Sequence, residues 1–103
     1  MHPLIARHRP EITAICCRFH VSRLEVFGSA ARQADFDPDR SDVDFLVEFD
    51  PSGPSASLMD FFALRDELAR LLGRPVDLIM ESTLRNPYVR SGIARSRETV
   101  YAA

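Results

Sequence analysis

Residues 21–49 read VSRLEVFGSAARQADFDPDRSDVDFLVEF, and this stretch decides the fold. Apolar side chains alternate with polar ones over Val21–Phe27 and again over Asp42–Phe49, which is the period of a half-buried β-strand. Gly28-Ser29 follows the first strand at once, and residues 30–34 have the composition to begin a short helix. The stretch therefore predicts a strand, a tight turn, a short helix and a second strand.

An amphipathic helix is predicted before this stretch. Apolar side chains recur at helical spacing from Pro3 to Phe19, as on a helix with one buried face. Pro10 falls inside this pattern and is expected to split or kink the helix, because proline has no N–H and its ring clashes with the preceding turn. The two cysteines, Cys16 and Cys17, are neighbours on this helix, so we expect two buried thiols and no disulfide.

A second amphipathic helix, Ser57–Leu72, is predicted after the stretch. Ser57 stands three residues before an aspartate, which is the spacing of a capping box, and Gly73 supplies a stop. Val76–Met80 then has the composition of another strand. Residues 86–95 open on Asn-Pro, a typical start for a short helix.

The order of these elements predicts an α/β (α+β) fold, with one mixed sheet of about three to four strands and helices packed on it. A length of 103 residues suits one domain and not two, so we expect residues 1–103 to form a single domain. No apolar run is long enough to cross a membrane, and the first residues lack the features of a signal peptide, which leads us to expect a cytoplasmic protein. The net charge of −2 argues against direct binding to nucleic acid.

The Gly28-Ser29 pair is the first feature that indicates a chemical function. Glycine lets a phosphate approach the backbone closely, the start of a helix offers N–H donors, and serine adds a hydroxyl. Gly-Ser after a strand is most often an ordinary turn, so this feature alone does not distinguish a phosphate site from a turn.

Asp42 and Asp44 form the second feature, at the start of the second strand. Side chains two residues apart on a strand share a face, with Cα atoms roughly 6.5 Å apart. Two carboxylates at that separation repel one another unless cations lie between them, and they suit a pair of Mg²⁺ ions. The alternative is a solvated strand end.

Asp77 is the third feature, with apolar neighbours on both sides in the last predicted strand. Aspartate is uncommon in strands, and the neighbours lead us to expect a buried carboxylate, which needs a partner or a metal. A salt bridge with Arg74 or Arg32 is the alternative to a metal.

The combined pattern resembles the signature of polymerase-beta-type nucleotidyltransferases, and most closely that of their MNT-like minimal members. In those proteins Gly-Ser-x-Ala-Arg precedes Ser-Asp-hydrophobic-Asp-hydrophobic-Leu-Val. The corresponding segments here are residues 28–32, GSAAR, and residues 41–47, SDVDFLV. The chain departs from many relatives in having Gln33-Ala34 where they have Gly-Glu, and in the acidic spacer at residues 35–39; both departures concern the loop that would hold the phosphates.

The resemblance implies that Gly28 and Ser29 hold the β- and γ-phosphates of ATP. Arg32 would support the triphosphate or anchor the loop to a carboxylate. Asp42 and Asp44 would each bind both of two Mg²⁺ ions.

Asp77 would bind one of the ions and act as the base toward an incoming hydroxyl, again by resemblance. The arginines near the carboxyl terminus have no counterpart in this signature. We expect them to form a solvated helix face, with a surface for a partner or for RNA as the alternative; they are Arg85, Arg90, Arg95 and Arg97.

The resemblance also implies a partner. MNT-like proteins are commonly antitoxins paired with HEPN-domain ribonuclease toxins, and members transfer AMP from ATP to a tyrosine of the toxin. A chain of 103 residues has little room for an acceptor pocket of its own, which suits an acceptor protein that brings its own surface. Two alternatives remain: a non-catalytic antitoxin that acts by binding alone, although three carboxylates argue against it, and a nucleotidyltransferase for a small molecule, although those relatives usually carry a further domain.

Overall fold

The structure is a computed structural model that describes residues 3–28, 43–53, 57–80 and 97–103. Within these residues it contains helices packed on a four-stranded mixed sheet, which confirms the predicted α+β fold class. The helices are α1 (Pro3–Arg7), α2 (Arg9–Arg18) and α3 (Leu58–Leu72), and the strands are β1 (Val21–Phe27), β2 (Val43–Phe49), β3 (Val76–Met80) and β4 (Glu98–Ala102).

The sheet has the strand order β3-β2-β1-β4. Strand β1 runs antiparallel to both β2 and β4, whereas β2 and β3 are parallel. The carboxyl end of β1 therefore lies at the same end of the sheet as the amino ends of the other three strands. Any residue just after β1 or at the start of another strand is brought to this end, which we call the site end.

The core lies between one face of the sheet and the helices. Leu24, Val26 and Phe45 alternate along β1 and β2 and are 0% exposed, as the sequence pattern predicted. Helix α3 contributes Leu64 and Leu68, which are also 0% exposed. Because the strands alternate their side chains, the opposite face of the sheet carries the residues between these apolar positions.

Pro10 divides the amino-terminal helix, as predicted. Helix α1 ends at Arg7, and Pro10 occupies the first turn of α2, where its missing N–H costs no hydrogen bond. The cysteines are both thiols, but only Cys16 is buried and Cys17 is exposed, which corrects the prediction of two buried thiols. Burial raises the pKa of the Cys16 thiol to about 12, so it stays protonated at neutral pH.

Helix α3 begins and ends as its sequence predicted. The backbone N–H of Asp60 donates to Oγ of Ser57 at 3.1 Å, and the backbone N–H of Ser57 donates to Oδ2 of Asp60 at 3.0 Å. This reciprocal capping box satisfies two N–H groups that a helix start otherwise leaves without partners. At the other end Gly73 adopts φ +67° and its N–H donates to the carbonyl of Ala69 at 2.8 Å.

Strand β4 was not predicted. It spans Glu98–Ala102 and pairs with the outer edge of β1. Its composition, with a threonine, a valine and a tyrosine in a row, favours a strand, but five residues give too little alternation to show a period. The helices predicted over residues 30–34 and 86–95 lie outside the described residues.

An ion pair ties β1 to the residue that precedes β4. Nε of Arg97 donates to Oε2 of Glu25 at 2.7 Å, and Nη2 of Arg97 contacts Oε1 of the same carboxylate. Glu25 is only 6% exposed. The hydrogen bonds from Arg97 lower the pKa of Glu25 below its usual 4.5, with desolvation opposing this shift and the charges of Arg97 and Arg23 adding to it.

Among the described residues, none of the helices is both long enough and apolar enough to span a bilayer.

We expect the buried side chains of α3 to contribute strongly to the free energy of unfolding. Leu68→Ala should lower the free energy of unfolding by about 2–5 kcal/mol, because it leaves a cavity between the helix and the sheet. Leu58→Ala, on the same helix but 70% exposed, should change it by less than about 0.5 kcal/mol. Urea unfolding followed by circular dichroism measures both, and equal losses for the two variants would contradict this account of the core.

The Glu25–Arg97 pair predicts a pH-dependent stability. Because the pKa of Glu25 is lowered in the folded state, the stabilisation is present above about pH 4.5 and is lost as the pH falls through the folded pKa. Arg97→Met should therefore lower the free energy of unfolding by roughly 1–3 kcal/mol at pH 7. The difference from wild type should shrink as the pH falls below about 4.5 and through the lowered pKa of Glu25.

Arg23→Met is the matched control for this prediction. Nη1 of Arg23 lies 3.8 Å from Oε1 of Glu25, and the Arg23 side chain is 50% exposed, so its contribution is screened by solvent. A loss of stability in Arg97→Met that does not shrink as the acid range is reached would show that the pair does not act as described. An equal loss in Arg23→Met would show the same.

Candidate active site

Gly28 lies at the end of β1 in direct contact with Asp44. A Cβ atom at position 28 would stand 2.6 Å from Oδ2 of Asp44, which is closer than non-bonded atoms approach. The backbone of Gly28 also has φ +71°, a left-handed conformation that side chains disfavour. Glycine is thus required twice at this position, once by the backbone and once by the neighbouring carboxylate.

Asp44 and Asp77 are cross-strand neighbours. The register of the parallel strands β2 and β3 pairs them directly, so their side chains project from the same face of the sheet, with Cα atoms about 4.8 Å apart. The antiparallel register of β1 and β2 pairs Asp44 with Phe27 on its other side. The two carboxylates are therefore adjacent at the site end, on the face opposite the core.

Asp77 is exposed, and the prediction of a buried carboxylate was wrong. Its apolar neighbours Val76 and Leu78 point to the core, whereas the alternation of the strand turns Asp77 to the opposite face. The contacts of the described residues include no ion pair between Asp77 and Arg74. Arg32, the other partner considered, lies outside the described residues.

Three of the six predicted site residues are thus brought together: Gly28, Asp44 and Asp77. The other three lie outside the described residues; they are Ser29, Arg32 and Asp42. In the described part of the chain no group of at least three His, Cys, Asp or Glu side chains is placed to hold a metal. The third carboxylate of the predicted set is among the residues that are not described.

Arg97 also lies at this end of the sheet, although its sequence context indicated no role in the site. It was expected on a solvated helix face, but it stands directly before β4 and binds the carboxylate of Glu25. Residues 25 and 97 are far apart in the chain, so no local pattern could have paired them. The arginine-rich composition of residues 85–97 gave only a general signal of positive charge.

The carboxylates of Asp44 and Asp77 at the site end suit a hard divalent cation. Two carboxylates from neighbouring strands present oxygen atoms on one face, and Mg²⁺ is bound in proteins through a few carboxylates while it keeps water or phosphate oxygens. The absence of a side chain at Gly28 lets the carboxylate of Asp44 lie directly against the turn that follows β1. Carboxylates that hold metal ions beside such a turn are the kind of arrangement that phosphoryl and nucleotidyl transfer require.

The nucleotidyltransferase domain family matches residues 9–100. The protein adenylyltransferase MntA of Thermococcus cleftensis is 41% identical over 101 residues, which cover 95% of this chain and 88% of that protein. A Methanocaldococcus jannaschii protein assigned as a protein adenylyltransferase is 37% identical over 76 residues, 74% of this chain and 72% of its own length.

Solved structures of other proteins share this fold. A protein described as a minimal nucleotidyltransferase superposes with a TM-score of 0.73 at 32% identity, over 95% of each chain. A complex of a tri-AMPylated Shewanella oneidensis HEPN toxin with its MNT antitoxin superposes with a TM-score of 0.66 over 96% of this chain and 73% of the matched chain. At 14% identity the second likeness concerns the fold alone.

The family match extends over most of the chain and includes all three residues that the sheet collects at its site end. The chain belongs to the nucleotidyltransferase domain family, and within that family it is an enzyme of the minimal nucleotidyltransferase type.

Proposed function

We propose that this enzyme transfers AMP from ATP to a tyrosine hydroxyl of a HEPN-type toxin and thereby acts as the antitoxin. One observation carries the chemical part: Asp44 and Asp77 are cross-strand partners, with Gly28 packed against the first of them. The similarity to the protein adenylyltransferase MntA supports AMP transfer to a protein.

The metal and nucleotide roles follow from the donor types. Two Mg²⁺ ions would be held by carboxylates and would neutralise the charge of the triphosphate and of the leaving pyrophosphate. The residues assigned to the metals are Asp42, Asp44 and Asp77, and those assigned to the phosphates are Gly28, Ser29 and Arg32.

The transfer forms a bond between the acceptor oxygen and the α-phosphorus of ATP. The bond from the α-phosphorus to the bridging oxygen breaks, and pyrophosphate leaves. Asp77 accepts the proton of the acceptor hydroxyl. Its carboxylate belongs to β3, at the outer side of the described sheet, and is exposed, so a hydroxyl on a protein surface can reach it without entering a tunnel.

Solved toxin–antitoxin complexes support the proposal that the acceptor is a partner protein. The solved complexes with this fold include MntA bound to HepT and an MNT antitoxin bound to an AMPylated HEPN toxin. The likeness to them lies in the fold. We extend the partnership to this chain because the exposed Asp77 suits an acceptor that docks from outside.

Replacing Asp44 tests the catalytic assignment. Asp44→Asn keeps the size of the side chain but removes the charge, so AMP transfer should fall by at least about 100-fold. The measurement is label transfer from α-³²P-ATP, with Mg²⁺, to the protein encoded by the neighbouring gene. Chelation of Mg²⁺ by EDTA should abolish transfer in the wild type.

Asp66→Asn is the control for this experiment, because Asp66 is a carboxylate on α3 with a side chain that is 63% exposed. Its transfer rate should match the wild type. Equal labelling by Asp44→Asn, or no labelling of the partner by the wild type, would overturn the proposed reaction. Protection of growing cells by Asp44→Asn as complete as by the wild type would instead favour an antitoxin that acts by binding alone.

Gly28→Ala tests the contact between Gly28 and the carboxylate of Asp44. The added Cβ would stand 2.6 Å from Oδ2 of Asp44, so the carboxylate must move away from the position opposite Asp77. AMP transfer should fall by at least about tenfold, since catalysis of this type depends on positioning. The free energy of unfolding should also drop by about 1–2 kcal/mol because of the positive φ.

Gly73→Ala separates these two effects. Gly73 has nearly the same backbone angle, φ +67°, but a Cβ there would have nothing within 4 Å. This variant should lose about 1–2 kcal/mol of stability and retain wild-type AMP transfer. If Gly28→Ala and Gly73→Ala transferred AMP equally well, the contact with Asp44 would have no bearing on the reaction.

A further inference from the structure

The order of side chains across the site end gives the proposed reaction a direction. The strand registers pair Phe27 of β1 with Asp44 of β2, and Asp44 with Asp77 of β3. Gly28 directly follows Phe27 and therefore stands on the β1 side of Asp44, whereas Asp77 stands on the β3 side. In the proposed function the first of these sides belongs to the phosphates and the second to the acceptor hydroxyl.

The chemistry of the transfer fixes where the rest of the acceptor lies. The attacking and leaving oxygens stand roughly in line on opposite sides of the phosphorus. With pyrophosphate leaving toward Gly28 and the α-phosphorus at Asp44, the acceptor oxygen approaches over β3. The residue that carries this oxygen consequently lies on β3 or beyond it.

Strand β3 directs two side chains to the face opposite the core. Val76 and Leu78 belong to the core cluster, and Met80 packs against it. Because side chains alternate along a strand, Asp77 and Ile79 point to the other face. Asp77 is exposed and Ile79 is half-buried, so an apolar side chain follows the proposed base, with Cα atoms roughly 6.5 Å apart.

Leu46 extends this apolar surface under β2. The parallel register pairs it with Ile79, one step behind the two carboxylates. Its neighbours Phe45 and Val47 belong to the core cluster, so Leu46 points to the same face as the carboxylates. Leu46 is 2% exposed, whereas Ile79 is half-buried, so of these two side chains Ile79 is the one that a docked acceptor can contact.

An apolar group beside the base distinguishes one hydroxyl from another. Tyrosine has an apolar ring and a polar tip, and its ring can rest on Ile79 while its hydroxyl meets Asp77. That contact removes apolar surface from water, which is favourable, and aromatic rings pair well with β-branched side chains on a sheet. Serine and threonine have no ring to place there.

We infer that Ile79 is a specificity-determining residue that contacts the ring of the acceptor tyrosine. This inference rests on the proposed function and extends it from the hydroxyl to the side chain that carries it. Asp77 accepts the proton of the hydroxyl, and Ile79 positions the ring so that the oxygen approaches the α-phosphorus from the side opposite pyrophosphate.

The test compares Ile79→Thr with Ile79→Val. Both replacements are β-branched and suit a strand, but threonine has a hydroxyl where valine has a methyl group. Label transfer from α-³²P-ATP is measured at varied concentrations of the partner protein and of ATP. With the partner as the varied substrate, kcat/KM should be about fivefold or more lower for Ile79→Thr than for Ile79→Val. The KM for ATP should differ by less than about twofold between them.

Met80→Ala is the control for the packing of β3. Met80 is half-buried like Ile79 but packs against the core cluster. This variant should unfold at a lower urea concentration and keep the wild-type kcat/KM for the partner. If it slowed transfer as much as Ile79→Thr, the effect would come from the packing of the strand, and the inference would fall. Equal kcat/KM values for Ile79→Thr and Ile79→Val would overturn it as well.

A competition experiment with the wild-type chain keeps the test valid if Ile79→Thr is poorly folded. N-acetyltyrosinamide at millimolar concentration should reduce labelling of the partner, whereas N-acetylserinamide, which has a hydroxyl but no ring, should not. Equal competition by the two amides, or none by the tyrosine derivative, would overturn the inference. Labelling of the partner on serine or threonine, found by mass spectrometry, would overturn it too. Failure of the wild type to label any partner would instead overturn the proposed function itself.

Discussion

The missing side chain at Gly28 leaves the space that the carboxylate of Asp44 occupies. A Cβ at this point would come within 2.6 Å of Oδ2, so the chain can turn away from β1 only where glycine stands. The contact fixes where the last residue of β1 meets the first residues of β2. The register of the sheet then determines which side chains stand beside Asp44.

The topology of the sheet explains how residues distant in sequence meet there. Antiparallel β1–β2 and parallel β2–β3 pairing bring the end of one strand together with the beginnings of the others. Asp77 arrives next to Asp44 because the parallel register makes them direct partners. The described helices pack on the opposite face of the sheet, and Asp44 and Asp77 stand together on this one.

Much of this arrangement was predictable from short-range patterns. Alternation predicted β1 and all of β2, composition predicted β3, and Ser57 and Gly73 marked the ends of α3. The Gly-Ser and Asp-x-Asp segments suggested the candidate site because each motif is local. The exposure of Asp77 was missed because apolar neighbours on both sides resemble a buried segment until the two faces of the strand are separated. The Glu25–Arg97 pair and β4 depend on contacts between distant parts of the chain, for which a single sequence carries no period.

The same ion pair has a consequence for the order in which the protein is assembled. Glu25 leaves the ribosome 72 residues before the arginine that binds it, and the outer edge of β1 has its partner strand only after β4 has been made. Contacts of such separation form late because they close the longest loops. A nascent chain can therefore pair β1 with β2, which carries Asp44, well before Arg97 has been made. The ion pair between Glu25 and Arg97 forms only after nearly the whole chain has been synthesised.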